Sequence, residues 1–315
     1  MDQLVAMRSF VQVAELGSFS KAAEALKLPN ATVSVRVAQL EEHLQVKLLA
    51  RTTRRVSLTE DGAAYLERVQ RLLSELDDIE SQLSGAVQNP RGRLRVDVPA
   101  AAGRHVLAPA LPEFLARYPE ITLELGSSDR PVDLILEGVD CVIRGGLVHD
   151  EQLVARRLGA FEVMTCAAPT YLARCGTPST PDELAQHCAV NFFSAKTGRT
   201  FAFDFERDGQ AREVQVPHRV SANDADTHLA LTLAGLGIAQ LPRTRVVAEH
   251  VDAGRLVPIL TEWGAGRLPL YVMYPRNRHL SARVRVFVEW VVALYRSKFR
   301  ALGAAGDGTG AQASG

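Results

Sequence analysis

Hydrophobic positions at the start of the chain recur at three- and four-residue steps. Leu4, Met7, Phe10, Val11 and Ala14 fall on one face of a helix that Asp2 can cap and Gly17 ends. Ser18 then opens a second short helix, Phe19 to Leu26, whose Ala22 and Ala23 let another helix approach closely. After the break Lys27-Leu28-Pro29-Asn30, Asn30 is placed to cap a third helix from about Ala31 to Leu44. Val33, Val37, Leu40 and Leu44 form its buried stripe and leave Thr32, Ser34, Val35, Arg36 and Gln39 outside.

Two helices joined by a short turn, the second with a polar outer face, make a helix-turn-helix layout. A helix that enters the major groove needs short side chains for close approach and an Arg for guanine or phosphate, and the third helix offers both. Any small three-helix domain also has a polar face, so the next stretch matters. In KLLARTTRRVSL (47–58) the alternation over Arg55-Val56-Ser57-Leu58 predicts a strand, with Lys47, Arg51, Arg54 and Arg55 around it. This is the pattern of a β-wing beside a reading helix, Arg54 or Arg55 reaching minor groove or backbone. Residues 1–58 carry eight Lys/Arg against five Asp/Glu, so the placement of the cations says more than their modest excess.

Thr59 can cap a long helix over residues 60–88, about 43 Å in length, with Leu66, Val69, Leu73, Leu76, Ile79, Leu83 and Val87 at steps of three and four. Such a helix either zips to a second copy, with Leu66, Val69, Leu73, Leu76 and Leu83 as the seam, or packs on its own domain. Its position between two compact segments favours dimerisation, which would present two reading helices to a palindromic site. Asn89-Pro90-Arg91-Gly92-Arg93 reads as a hinge. Beyond it, strands at 94–98, 121–125 and 139–143 alternate with helices at 104–118 and 131–137. That rhythm predicts a mostly parallel sheet covered by helices. Further strands are expected at 162–168, 189–193, 201–205, 214–220, 236–241, 256–260 and 270–275, and helices at 181–186, 224–234, 242–250 and 281–299. The glycine-rich end, 303–315, reads as a disordered tail.

Composition narrows the functional classes. The 315 residues suggest about two domains, and 36 Lys+Arg against 36 Asp+Glu exclude a polycation. The opening MDQLVAMRSFVQV has no signal-peptide pattern and no apolar run approaches membrane length, so a cytoplasmic, non-membrane protein is expected. Cys141, Cys166, Cys175 and Cys188 form no metal-binding spacing, and neither the eight histidines nor any GxSxG, HExxH or P-loop pattern suggests catalysis. A Cys166–Cys175 redox pair, or Cys166 acting with His187, remains the residual alternative.

The stretch AELGSFSKAAEALKLPNATVSVRVAQLEEHLQVKLLARTTRRVSLTEDGAAYLERV, Ala14 to Val69, resembles the N-terminal domain of LysR-type transcriptional regulators. The resemblance is carried by Gly17-Ser18-Phe19-Ser20, Ala22-Ala23, Ser34, Leu40-Glu41, Leu44, Leu48, Arg51, Leu58-Thr59 and Gly62. Pro109, Phe114, Tyr118-Pro119, Val132-Asp133-Leu134, Asp140 with Arg144-Gly145-Gly146, and Ala234-Gly235-Leu236-Gly237-Ile238 extend it to roughly residue 300. It implies an α+β multidomain protein: a winged helix-turn-helix (1–58), a linker helix (59–88), a hinge (89–93) and a two-lobed α/β, periplasmic-binding-protein-like effector domain (94–302). Departures from the family pattern are Val35 and Arg36 on the reading helix, Gln45 and Leu49 beyond it, and Ala100-Ala101-Ala102 where a hydroxyl residue is common.

The implied function is a DNA-binding transcriptional regulator that senses a small-molecule effector, an organic acid among the candidates, as a homodimer or tetramer without a cofactor. The alternative is a cytoplasmic α/β small-molecule-binding protein or enzyme with an accessory helical domain. The DNA-binding set is Ser18, Asn30, Thr32, Ser34, Val35, Arg36, Gln39, Arg51, Arg54 and Arg55. The effector set lies at strand-to-helix junctions: Ala100, Ala101, Ala102, Ser127, Ser128, Arg144, Gly145, Ser194, Asn223 and Asp224. Arg144 can clamp a ligand carboxylate or pair with an acid such as Asp140, and Asn223 and Asp224 can simply cap a helix.

Overall fold

The computed structural model describes residues 1–51, 56–83, 90–130, 132–134, 136–146, 152–276 and 280–301, with backbone only at 51, 74, 75 and 77–83. Two compact units, Met1–Asn89 and Pro90–Gly315, divide the chain. The expected tail and the hinge residue Asn89 lie outside the described residues.

In the first unit, helix α1 (Gln3–Leu16) starts where Asp2 accepts a hydrogen bond from the Val5 N–H at 3.2 Å, and it stops at Gly17, left-handed at φ 60°. Helix α2 (Phe19–Leu26) is capped by Ser18, whose hydroxyl accepts from the Lys21 N–H at 3.4 Å. Helix α3 (Asn30–Leu44) departs from expectation at its start. Pro29 is the capping position and supplies no side-chain bond, while the Asn30 amide donates to the Ser20 hydroxyl at 3.4 Å and so ties α3 to α2. Strands β1 (Leu49–Arg51) and β2 (Val56–Leu58) pair antiparallel as a small hairpin. Helix α4 (Glu60–Leu83) follows, and the Thr59 hydroxyl accepts from the Gly62 N–H at 2.9 Å as its cap.

The core of this unit joins Met7, Phe10, Val13, Ala22, Ala23, Val33, Val37, Leu40, Leu48 and Leu49 with Val69 and Leu73 of α4. Here the seam reading needs correcting. Val69 and Leu73 are buried at 3% and 7% exposure, and Leu66 packs partly against the same cluster. The first half of the α4 stripe therefore covers its own domain. Periodicity identifies an apolar stripe but not the surface that meets it. Leu72 is 48% exposed, Leu76 is half-buried, and the Leu83 side chain lies outside the described residues.

The second unit is built on a sheet ordered β10-β7-β11-β6-β13-β5-β3-β4, with β12 paired to β6. Its strands are β3 (Gly92–Val98), β4 (Ile121–Ser127), β5 (Cys141–Gly145), β6 (Leu153–Ala167), β7 (Ala189–Phe192), β10 (His218–Ala222), β11 (Ile238–Pro242), β12 (Val257–Pro258) and β13 (Arg267–Pro275). A separate hairpin pairs β8 (Phe203–Arg207) with β9 (Gln210–Val214). The sheet is mixed, not mostly parallel. Strand β3 pairs parallel with β4 and β5, and β7 with β10 and β11, but β6 and β13 run antiparallel to their neighbours. Strand β6 pairs with β13 along Leu153–Glu162 and with β11 and β12 along its last residues, and so joins the two halves of the sheet as lobes.

Helix α5 (Ala100–Ala102) runs through a π turn, Gly103–Leu107, into α6 (Ala108–Arg117), so the expected helix begins four residues early. No helix stands among the described residues of the expected 131–137, where turns take its place, and 214–220 splits between β9 and β10. Helix α7 (Pro169–Cys175), which periodicity did not suggest, and a 3₁₀ turn Pro181–Gln186 precede β7. Helices α8 (Ala225–Leu233) and α9 (Arg245–Asp252) cover the second lobe. Helix α10 (Ala282–Ala301) lays Val284, Phe287, Val288, Val291, Val292, Tyr295 and Phe299 on the first, Phe287 meeting Phe114 edge-on at 5.5 Å. No described helix is long and apolar enough to cross a membrane.

Candidate nucleic-acid interface and effector cleft

The outer side of α3 is set by what its inner side buries. With Val33, Val37 and Leu40 fully inside, Ala31, Val35, Ala38, Gln39 and Glu42 stand exposed on the opposite side, while Thr32, Ser34 and Arg36 flank them half-buried. The structure therefore brings Thr32, Val35, Arg36 and Gln39 to one accessible surface. Ser18 and Asn30 have their polar groups engaged at the α2 cap and with Ser20. The Arg51 side chain, Arg54 and Arg55 lie outside what is described.

The sequence gives no role to the residue that holds the hairpin beside α3. Glu41 is a buried carboxylate that accepts from the Leu48 and Leu49 N–H groups at 3.0 and 3.1 Å and from the Lys47 ammonium at 2.8 Å. Burial opposes its ionisation, but the Lys47 bond and the two amides outweigh it and hold its pKa below the usual carboxylate value. Its signals in the sequence are its place in the Leu40-Glu41 pair of the family resemblance and its position on α3, which turns toward the apolar stripe. Gly62 completes the join: a Cβ there would stand 1.9 Å from the Leu48 carbonyl oxygen, so α4 rests directly on the backbone that leads into β1.

In the second unit the junctions converge where the lobes meet. Asp226, at the start of α8 in one lobe, forms an ion pair with Arg104 and lies 3.2 Å from His105 Nε2, both on the π turn of the other. The Ala225 N–H donates to Asp129 at 3.4 Å. Burial pushes the Asp129 carboxyl up, and the neighbouring Asp224 charge adds to that. Asp224 caps α8, accepting from the Thr227 N–H at 2.7 Å. Arg144 is not an open clamp: it pairs with Asp97 and donates to the Ile143 and Arg130 carbonyls at 2.9 and 3.0 Å. The expected competing acid, Asp140, instead accepts from the Arg95 N–H at 2.9 Å. Ser194 sits in a turn, accepting from the Thr197 N–H at 3.4 Å, and Asn223 is exposed. Ala100, Ala101 and Ala102 line the start of the helix after β3, and Ser127 and Ser128 lie across from it at the end of β4.

The Cys166 thiol is not activated as a nucleophile. Burial pushes the Cys166 thiol up to about 12, so at neutral pH it stays protonated, and Cys141 is raised further. The His187 ring faces the Tyr171 hydroxyl at 3.2 Å. Among the described residues no three His, Cys, Asp or Glu are grouped to hold a metal.

A helix-turn-helix unit followed by a two-lobed α/β unit is the architecture of a DNA-binding transcriptional regulator with an effector-binding domain. Residues 4–63 match the family "Bacterial regulatory helix-turn-helix protein, lysR family" and 88–296 the family "LysR substrate binding domain". An HTH-type transcriptional repressor of Pseudomonas aeruginosa is 44% identical over 94% of this chain and 93% of its own. The regulator CrgA of Neisseria meningitidis has a solved structure at 37% identity, covering 92% of this chain and 98% of its own with a TM-score of 0.58. The full-length virulence activator AphB of Vibrio cholerae is 26% identical, over 92% of this chain and 98% of its own, with a TM-score of 0.56. The chain belongs to the LysR family of transcriptional regulators.

Proposed function

We propose that two copies of this chain associate and each sets its α3 into the major groove of one half of an operator. The outward surface of Thr32, Val35, Arg36 and Gln39 carries this reading, since it is the side of α3 its own core leaves free. Ser34 and Arg36 contact base edges or nearby phosphates, and Lys47 with Arg51, Arg54 and Arg55 supplies phosphate or minor-groove contacts. Among the described side chains of α4, Leu72 and Leu76 are large apolar groups available to the partner copy. The 44% identical relative is named a repressor, and repression is the mode proposed for this chain. The protein acts in the cytoplasm and is not an enzyme.

The effector occupies the junction between the lobes, bounded by Ala100–Ala102, Ser127, Ser128, Gly145, Ser194, Asn223 and Asp224. An organic acid would have to draw Arg144 away from Asp97, and the carboxylates of Asp129, Asp224 and Asp226 stand close by. That environment does not favour an anion as strongly as the sequence alone suggested. Genome-wide recovery of DNA bound by the full-length protein tests the whole reading. It predicts a few enriched sites with two-fold symmetry, and no enrichment over random duplex would refute it.

A further inference from the structure

Val35 stands at the centre of the α3 surface that faces away from the core, and it is 54% exposed. A β-branched residue is a weaker helix former than Ala, and an exposed apolar side chain gains nothing from water, so neither propensity nor packing within this domain explains it. Ala31 and Ala38, four residues before and three after, share that side, so an apolar ridge runs along the middle of an otherwise polar face. The two alanines keep the ridge low and let the helix backbone come close to whatever lies opposite. Only one large, stiff apolar group projects from it, because Val holds a single strongly preferred rotamer in a helix.

In the major groove the apolar feature of a base edge is the thymine C5-methyl group. We infer that Val35 reads thymine through that methyl and so fixes an A·T pair in each half of the operator. The inference rests on α3 being the reading helix. Arg36 and Thr32 on one flank of the ridge provide polar contacts to neighbouring bases, whereas Val35 selects by contact with a methyl alone.

The test uses the full-length protein and an operator selected from random duplex DNA. Each thymine is replaced in turn by deoxyuridine, which keeps base pairing and removes only the methyl. The expected result is a threefold to tenfold loss of affinity at one position per half-site, about what burial of one methyl supports. Val35→Ala should bind the thymine and deoxyuridine forms equally at that position and keep its preferences elsewhere. Because the side chain is exposed, the variant should melt with the wild type. If no thymine methyl matters, or if Val35→Ala remains as sensitive to its removal as the wild type, the inference fails while α3 stays the reading helix. If no sequence is enriched at all, the reading-helix assignment itself fails and takes the inference with it.

Discussion

The Glu41 carboxylate accepts a hydrogen bond from the Leu48 backbone N–H at 3.0 Å, and this links the reading helix to the hairpin beside it. The same oxygen takes the Leu49 N–H at 3.1 Å. Removing the carboxylate leaves two buried donors without partners, each worth about 1–3 kcal/mol. Glu41→Ala should therefore destabilise the N-terminal unit by about 2–5 kcal/mol, read from hydrogen exchange of α1 to α3 in urea. Lys47 is 77% exposed on its side chain, so Lys47→Ala should change stability by less than about 1 kcal/mol. Equal losses from the two variants would mean that the ion pair, not the amide bonds, holds the hairpin.

The same carboxylate makes this unit acid-sensitive. Its folded pKa lies below the ordinary 4.5, so the unfolded chain takes up the proton first as pH falls. The stabilisation is complete above about pH 5 and is lost on acidification through the folded value. Denaturation midpoints of wild type and Glu41→Gln should converge as pH drops from 6 to 3. Curves that stay parallel over that range would contradict the ionised state assigned here.

The sequence makes legible those elements whose stripe is long and whose partner lies nearby. Helices α1 to α3 follow from Met7, Phe10, Val33 and Val37, and α10 from Phe287, Val291 and Tyr295, because each buries one face at a regular period. Strand β6 was half hidden: its first residues, with Arg156 and Arg157 exposed, lack a clean alternation. Its antiparallel place beside β13 depends on a pairing more than a hundred residues apart, which local pattern does not encode. Glu41 lies toward the apolar stripe in sequence, but its burial and its role as an acceptor depend on the return of Leu48 and Leu49 to its side, which the local pattern does not encode. The sequence leaves Arg144 open between ligand and ion pair; choosing Asp97 requires the register that sets β3 beside β5.

His228 gives the second lobe its own pH dependence. The ring is buried, with Nε2 2.8 Å from the Val190 carbonyl oxygen, and burial lowers its pKa from 6.5 even though that carbonyl favours the charged form. Below pH 6.5 the unfolded chain binds the proton more readily than the folded one, so stability falls with pH until the folded value is passed. His228→Gln keeps a donor for Val190 and removes the titration. Its stability should be flatter than that of the wild type between pH 6.5 and 5, by calorimetry of the effector domain's transition. An identical slope would show that His228 is not buried neutral.

Gly62 tests the contact between α4 and the hairpin from its other side. A methyl group at this position cannot coexist with the Leu48 carbonyl at 1.9 Å, and backbone rather than a flexible side chain must yield. Gly62→Ala should cost about 1–3 kcal/mol despite its better helix propensity, and should weaken operator binding by moving β1 and β2. Thermal melts and titrations against operator DNA measure both effects. Unchanged stability would mean that α4 does not rest on the Leu48 backbone.

Arg36 and Arg54 should separate base reading from charge. Arg36 lies beside Thr32 and Val35 on the accessible surface of α3, where a guanidinium can reach guanine O6 and N7. Losing it should cost about 1–3 kcal/mol on the preferred operator and much less on random duplex, so the ratio between them shrinks. Arg54 comes just before β2 in sequence, and its expected contact is a phosphate, which carries no base information. Arg54→Ala should therefore weaken all duplexes alike and flatten the dependence of log affinity on log salt by about one unit. Titrations of both variants against operator and random DNA at four salt concentrations distinguish the two roles. A uniform loss for Arg36→Ala would make it a backbone contact, and an unchanged salt slope for Arg54→Ala would remove that side chain from the interface.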